Sequence, residues 1–255
     1  MTDLSGQIAL VTGGTAGIGA TTCRALADAG ATVALLGRNE ERGNSIVEAI
    51  ERDGGTARFG LCDVRDADAI DAAVDATIAE FGRLDIAFNN AGIFDRGVSF
   101  EDYDDAAWGD MLATNLTGVF VCMRAELRVM VEQGSGSIVN NASPVAHAGT
   151  NRASPGYVAA KHGVMGLTRQ AAQEYASRGI RVNAVSPGPT DTDVAQALID
   201  EGPDVVAAVL AEVNPMGRFV SKRQVAETVV FLCSPTAAMI NGQDIVIDGG
   251  QLAKF

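Results

Sequence analysis

The run Gln7-Ile8-Ala9-Leu10-Val11-Thr12-Gly13-Gly14-Thr15-Ala16-Gly17-Ile18-Gly19 sets a short apolar segment against a cluster of small residues, and a helical pattern follows from Gly17 to Ala29. The order this predicts is strand, glycine turn, helix. Small residues let a backbone approach a ligand closely, and a helix N-terminus behind them presents free N–H groups and the positive end of a dipole. Pyrophosphate is held in this way. The spacing is T-G-x-x-x-G-x-G rather than G-x-G-x-x-G. The strand before it and the helix after it are the context that distinguishes a phosphate cradle from a flexible turn.

Outward from this turn the alternation continues. Thr32 to Leu36 reads as a second strand and ends at Gly37-Arg38-Asn39. In dinucleotide-binding βαβ units an acid about 20 positions past the glycines holds the ribose hydroxyls, whereas an arginine accommodates a 2′-phosphate. Here Gly37 leaves space and Arg38 supplies charge, so the sequence leans to NADP(H) and leaves NAD(H) open. The plainer alternative is a solvent-facing arginine opening the helix Glu40 to Ile50. Ala57 to Leu61 is the third strand, followed by Cys62-Asp63-Val64, where two roles are open to Asp63: accepting from an adenine amino group, or capping the helix Asp66 to Phe81. Leu84 to Phe88 is the fourth strand and runs into Asn89-Asn90-Ala91-Gly92, small residues that again suggest a cofactor passing nearby. Asp104 to Gln133 has helical periodicity, yet it contains Asn115 and Gly118, both unfavourable inside a helix. Such a lapse often marks a functional site.

Ser137 to Asn141 is the fifth strand, and the helix carrying Tyr157 and Lys161 ends near Gly179. Ile180 to Val185 is the sixth, leading into Pro187-Gly188-Pro189-Thr190-Asp191-Thr192. Residues 193–218 break the rhythm with two short helical patterns around Gly202-Pro203, as an inserted lid would. That flap offers Val194, Leu198, Val205, Val206, Val209 and Leu210 beside the acids Asp193, Glu201, Asp204 and Glu212. Gln224 to Cys233 returns to helix, and Asp244 to Asp248 is the last strand before Gly249-Gly250. Seven strands alternating with helices predict a single-domain α/β protein over 1–255, with a doubly wound parallel sheet and any ligand at the carboxyl ends of the strands.

Composition narrows the partners. The chain of 255 residues is 47% hydrophobic, enough for one large core, and no linker or low-complexity run divides it. A formal charge of −13 opposes affinity for nucleic acid or anionic membrane and favours small-molecule partners. Met1 to Gln7 lacks a signal-peptide pattern and no apolar run reaches membrane-spanning length, so a cytoplasmic protein is expected. Cys23, Cys62, Cys122 and Cys233 are scattered and read as buried small hydrophobes, and two histidines are too few for a histidine-rich metal site.

The chemistry is expected at Tyr157 and Lys161, four residues apart and therefore on one helix face. A phenol in water is a poor proton shuttle at neutral pH, but a neighbouring ammonium favours the phenolate. Ser143, just past a strand, is placed to hold an oxygen shared with the tyrosine. Phe94, Val145 and Arg152 should border the same pocket. His147 either lines it too or is an ordinary loop residue.

Together, Thr12-Gly13-x-x-x-Gly17-x-Gly19, Asn89-Asn90-Ala91-Gly92, Asn115, Ser143, Tyr157-x-x-x-Lys161, Pro187-Gly188 and Asp248-Gly249-Gly250 resemble the short-chain dehydrogenase/reductase family in its single-domain branch of about 250 residues. The resemblance covers essentially the whole chain. It implies a nicotinamide-dependent interconversion of an alcohol and a ketone or aldehyde, with Tyr157 as acid/base and Ser143 orienting the substrate oxygen. Lys161 is implied to hold the nicotinamide ribose and to lower the tyrosine pKa, and Asn115 to position a water in a proton relay. The cofactor is then expected to touch Thr12, Gly13, Thr15, Gly17, Ile18 and Gly19 in the first turn, and Arg38, Asp63 and Val64 at the adenosine end. Beyond these lie Asn89, Ala91 and Gly92, then Pro187, Gly188, Thr190 and Thr192, with Tyr157 and Lys161. The resemblance also implies a homotetramer, assembled through the fourth and fifth helices and the C-terminal strand. A non-catalytic dinucleotide sensor or scaffold on the same fold is the alternative.

Overall fold

A computed structural model describes residues 2–254, the side chains of Val194 and Ala197 excepted. Seven strands, β1 (Ile8–Thr12), β2 (Thr32–Gly37), β3 (Thr56–Leu61), β4 (Ile86–Asn89), β5 (Gly136–Asn141), β6 (Ile180–Pro187) and β7 (Asp244–Ile247), form one sheet in the order β3-β2-β1-β4-β5-β6-β7. All pairings are parallel. The strand order reverses between β1 and β4, and at that switch point the connections leave toward opposite faces and open a crevice past the strand ends.

Both faces are covered, which explains why the strands are near-continuous apolar runs. Side chains alternate across the sheet. Ala9 and Val11 of β1 and Val139 of β5 pack with Leu26 of α1 (Gly17–Asp28), Ile50 of α2 (Glu40–Arg52) and Val225 and Val229 of a C-terminal helix. Leu10 and Ile138 face the other way, onto Ile70 and Val74 of α3 (Ala67–Phe81) and a second set of helices. Each fully buried Leu, Ile or Phe contributes roughly 1.5–3 kcal/mol.

The remaining helices are α4 (Asp105–Leu112), α5 (Gly118–Gln133), α6 (Pro155–Tyr175), α7 (Gln196–Ile199), α8 (Pro203–Val213) and α9 (Lys222–Cys233). None of the described helices is long and apolar enough to cross a membrane. The single helix expected over Asp104 to Gln133 is divided at Ala113–Thr117 by one wide π-helical turn containing Asn115. The fourth strand starts at Ile86, two residues into its apolar run; Leu84 N–H and C=O are both taken by the Gln133 side-chain amide, at 2.8 and 2.7 Å, while Asp85 already bonds to Ile8 O and Ser137 N.

One polar cluster lies inside this apolar frame. Asn89 Nδ2 donates to Glu126 Oε2 (3.0 Å) and to Asn140 Oδ1 (3.1 Å), and Asn140 Nδ2 donates to Thr168 Oγ1 (2.9 Å). It joins β4, β5, α5 and α6. Glu126 is fully buried without a cation, and burial pushes its carboxyl up to about 7. The sign of the pH effect follows. A carboxyl that ionises near 7 in the fold and near 4.5 in the open chain stabilises the fold at low pH, and that contribution, on the order of 3 kcal/mol, is lost as pH rises through 7. The melting temperature should therefore drop between pH 5 and 8 in the parent protein, and Glu126→Gln should flatten that part of the profile. An identical slope in both proteins would contradict the assignment.

Candidate active site

Past the carboxyl ends of the strands lies a cleft of about 1040 Å³, reaching from Arg38 and Asp63 on the β2/β3 side to Ser143, Tyr157 and Arg152 on the β5 side. Its floor is the turn after β1. Asn39, Asp66, Asp104, Ser154 and Ser221 cap α2, α3, α4, α6 and α9 with their side chains. α1 differs, because Ala16 offers no capping atom and its first turn holds no acid. The free N–H groups at that end abut the wall made by Gly13, Thr15, Gly17 and Ile18. Gly17 has φ +54°, and a Cβ there would meet only the Thr192 methyl, at 3.3 Å. An uncapped, unobstructed helix N-terminus of this kind fits the pyrophosphate of a dinucleotide.

Ala91, Gly92, Val64, Pro187, Gly188, Thr190 and Thr192 line the cleft as the sequence suggested. Thr12, Gly19 and Asn89 do not, and each departure has a cause. Thr12 is buried, and its Oγ1 accepts from Asn90 N (3.0 Å) and Ala91 N (3.1 Å), which fastens the exit of β4 to that of β1. Gly19 is where α1 presses on the turn, since a Cβ there would lie 2.2 Å from the Gly13 carbonyl oxygen. Asn89, the last residue of β4, is directed by strand alternation into the core cluster. Its neighbour Asn90 lines the cleft instead and donates to Thr12 O (3.3 Å) and Gly13 O (3.2 Å). Asp63 lines the cleft as a carboxylate held by Arg65 at 2.7 Å, with Arg38 at 3.9 Å. These arginines keep its pKa low, the hydrogen bond from Arg65 acting most. The capping role belongs to Asp66.

Ser143 leaves β5 extended and starts a short 3₁₀ turn, Pro144–Ala146, its Oγ accepting from Val145 N (3.4 Å). α6 starts two residues ahead of Tyr157, capped by Ser154, and one turn later presents Lys161. Tyr157 and Lys161 both line the cleft. The Phe94 ring meets Tyr157 edge-on, with centroids 5.1 Å apart. Lys161 Nζ donates to Asn141 O at 2.6 Å and lies 5.6 Å from the centre of the Tyr157 ring.

The expected lowering of the phenol pKa by the ammonium is not what this geometry gives. Burial pushes Tyr157 up to about 12, opposed by a hydrogen bond from Ser143 and reinforced by Asp95, while burial draws Lys161 down to about 8. The ammonium is engaged by the Asn141 carbonyl, and burial is the leading influence on both groups. At neutral pH the pair is phenol and ammonium.

Two further candidate residues lie outside the cleft lining. Asn115 is buried and does not line the cleft. Its Oδ1 accepts from Ile93 N (2.8 Å) and its Nδ2 donates to Ile93 O (2.7 Å), so its side chain clamps the loop after β4. His147 does not line the cleft either; its ring turns to Asp244 on β7. Phe94, Val145 and Arg152 do line it, joined by Leu198 and Val209 of the flap; the Val194 side chain lies outside the described residues. Arg42, Asn141 and Gln251 also line it, and the sequence reading passed over all three. Arg42 was legible as a second arginine near the end of β2. Asn141 acts through a backbone carbonyl, which no residue pattern marks.

Residues 13–251 match a family model described as enoyl-(acyl carrier protein) reductase. D-threitol dehydrogenase of Mycolicibacterium smegmatis is 41% identical over 251 residues, 98% of this chain and 95% of that protein. Cis-4-hydroxycyclohexanecarboxylate dehydrogenase of Sinomonas cyclohexanicum is 41% identical over 247 residues, 97% of each chain. The crystal structure of levodione reductase superposes with a TM-score of 0.93 at 36% identity, covering 98% of this chain and 99% of that one. Fold and site thus define an oxidoreductase that works with a nicotinamide dinucleotide on alcohol and carbonyl groups. The chain belongs to the short-chain dehydrogenase/reductase family.

Gly19 gives a test of the turn that is independent of any ligand contact. Gly19→Ala forces a methyl against the Gly13 carbonyl, and overpacking of this kind costs about 1–3 kcal/mol. Both melting temperature and dinucleotide affinity should fall. Unchanged affinity in a folded variant would mean that the turn tolerates the displacement.

Proposed function

We propose that this enzyme prefers NADP(H) and exchanges the substrate proton through Tyr157, with Ser143 orienting the substrate oxygen and Lys161 holding the nicotinamide ribose. The observation that carries the proton chemistry is the meeting of these three side chains in one cleft, with the phenol protonated at neutral pH. A bound nicotinamide supplies or accepts the hydride. Tyr157 in its neutral form donates to a carbonyl oxygen gaining electron density; in the opposite direction it must first lose its proton, which the Lys161 ammonium favours. Ser143 Oγ fixes the oxygen both groups share. Asn115 acts from beneath, by holding Ile93 and the loop that carries Phe94.

The NADP preference rests on the end of β2. No acid stands there, and Arg38 and Arg42 both line that wall. Residues 193–218 serve as the lid. Three arginines of the cleft walls reach acids on it: Arg42 to Asp193 at 3.0 Å, Arg96 to Glu201 at 3.1 Å, and Arg152 to Glu212. Gly202, with φ +105°, provides a turn between its helices that other residues rarely adopt. The ring alcohol named for the Sinomonas relative makes cyclic secondary alcohols and ketones the first substrates to screen. A homotetramer is supported by exposed Phe120 on α5 and Val246 on β7, and a cytoplasmic location by four free, buried cysteines.

Tyr157→Phe keeps the ring and removes the proton, so dinucleotide binding should survive while turnover falls by roughly 10²- to 10⁴-fold. Turnover near the parent rate would sink the mechanism. For the cofactor, a charge-assisted contact from Arg38 is worth about 1.5–3 kcal/mol, roughly ten- to a hundredfold or more in affinity. Arg38→Ala should therefore weaken NADP and leave NAD nearly untouched in side-by-side kcat/KM measurements. Parent protein that uses NAD as well as NADP would overturn the preference. Gly37→Asp alone is a poor probe, because a Cβ there would lie 2.6 Å from Thr15 Cγ2.

A further inference from the structure

His147 follows the catalytic-serine turn and reaches across to the last strand. Its Nε2–H donates to Asp244 Oδ2 at 2.5 Å, and Ser186 Oγ of β6 donates to the same oxygen at 2.6 Å. The Asp244 side chain is only 5% exposed, Ser186 is fully buried, and Asp244 Oδ1 is buried without a partner. Among the described residues, His147 is the one basic side chain within ion-pair distance of this carboxyl group. A buried carboxylate so poorly served by donors holds strongly to the donors it has.

The backbone around His147 turns that attraction into a constraint on Ser143. Ala142 N donates to Val185 O (2.8 Å), which ties the entrance of the turn to β6. Within the turn, Ala146 N donates to Ser143 O (2.9 Å) and His147 N to Pro144 O (3.1 Å). The exit then runs through residues 148–154, which carry Arg152, with the substrate-side Val145 inside the turn itself. Short turns of this kind hold poorly by themselves. The only side chain of this turn that reaches β7 among the described hydrogen bonds is that of His147.

We propose that His147 is a positioning residue, anchored by Asp244, that fixes the Ser143 hydroxyl and the adjoining wall of the substrate pocket. This rests on the reading of Ser143 as the group that orients the substrate oxygen. The anchor acts on the chemical step rather than on dinucleotide affinity, because the α1 turn and the Arg38–Asp63 wall, which would hold pyrophosphate and adenosine, lie on the far side of the cleft. Misplacing such a group by about 1 Å can cost up to about a hundredfold in rate.

The test compares kcat, dinucleotide KM and melting temperature in the full-length protein for His147→Leu, His147→Gln, Asp244→Ala and the His147→Leu/Asp244→Ala pair, with Ser143→Ala as reference. His147→Leu should lower kcat by roughly ten- to a hundredfold with dinucleotide KM unchanged. His147→Gln, whose amide nitrogen can take the place of Nε2, should recover most of the loss, and the double variant should be no slower than the slower single one. Should His147→Leu fail to fold because its carboxylate is left unpaired, the double variant removes that charge and serves in its place against His147→Gln. Parent-like kcat in His147→Leu, equal losses in the Leu and Gln variants, or single losses that multiply in the double variant would each overturn the inference. Parent-like kcat in Ser143→Ala would instead remove the role of Ser143, and the inference with it. Slow Ser143→Ala beside fast His147→Leu leaves Ser143 in its role and rejects the anchor alone.

Discussion

The cleft depends on how closely α1 is pressed against the exits of β1 and β4. Gly13 and Gly19 touch through backbone, with no volume left for a methyl group, and Thr12 and Asn90 commit their polar atoms to holding the two strand exits together. Loosening this contact would let the helix end drift from the switch point. Because it is tight, the first turn of α1 leaves N–H groups that no side chain satisfies. They remain a standing demand for an anion. The other cleft-facing features lie to either side of it, with Arg38 and Arg42 toward the β2/β3 side and the Tyr157–Lys161 pair toward the β5 side.

At that second end, desolvation and hydrogen bonding pull against each other. Burial disfavours charge on both Tyr157 and Lys161, raising one pKa and lowering the other. Lys161, drawn down only to about 8, is still an ammonium at neutral pH and donates to the Asn141 carbonyl. At Tyr157 burial outweighs the Ser143 hydrogen bond that favours a phenolate, so the tyrosine rests as a neutral donor. Buried polar groups behind the cleft are spent on geometry: Asn115 on Ile93, Asn89 on Glu126 and Asn140.

The alternation of apolar runs and helical patterns made the sheet, its seven strands and the switch-point cleft legible from residues alone, since a parallel sheet buried on both faces has to be written in that way. The triad of Ser143, Tyr157 and Lys161 was legible for the same kind of reason: a one-turn spacing and a strand end put them together. Orientation was harder to read. Which of Asn89 and Asn90 faces the cleft is decided by the final pleat of β4, and two adjacent asparagines carry no pattern that marks it. The partner of Lys161 is a backbone atom, and His147 and Asp244 are 97 residues apart. The phenol pKa depends on the depth of burial, which spacing does not encode.

The π-helical turn at Ala113–Thr117 has a bearing on how this chain tolerates change in length. An α-helix rotates about 100° per residue, so the extra residue accommodated in the wide turn sets the phase of everything after it. α5 runs unbroken from that turn, with Val119, Cys122 and Met123 toward the sheet, Glu126 under Asn89, and Phe120 on the outside. Deleting a single residue between 113 and 117 would reset α5 to an ordinary helical phase and roll its buried stripe outward by nearly a third of a turn, bringing Phe120 round toward the core. The segment is therefore a frameshift point in the packing rather than a spare loop, and the length of this stretch is constrained as strictly as the identity of Asn115 within it.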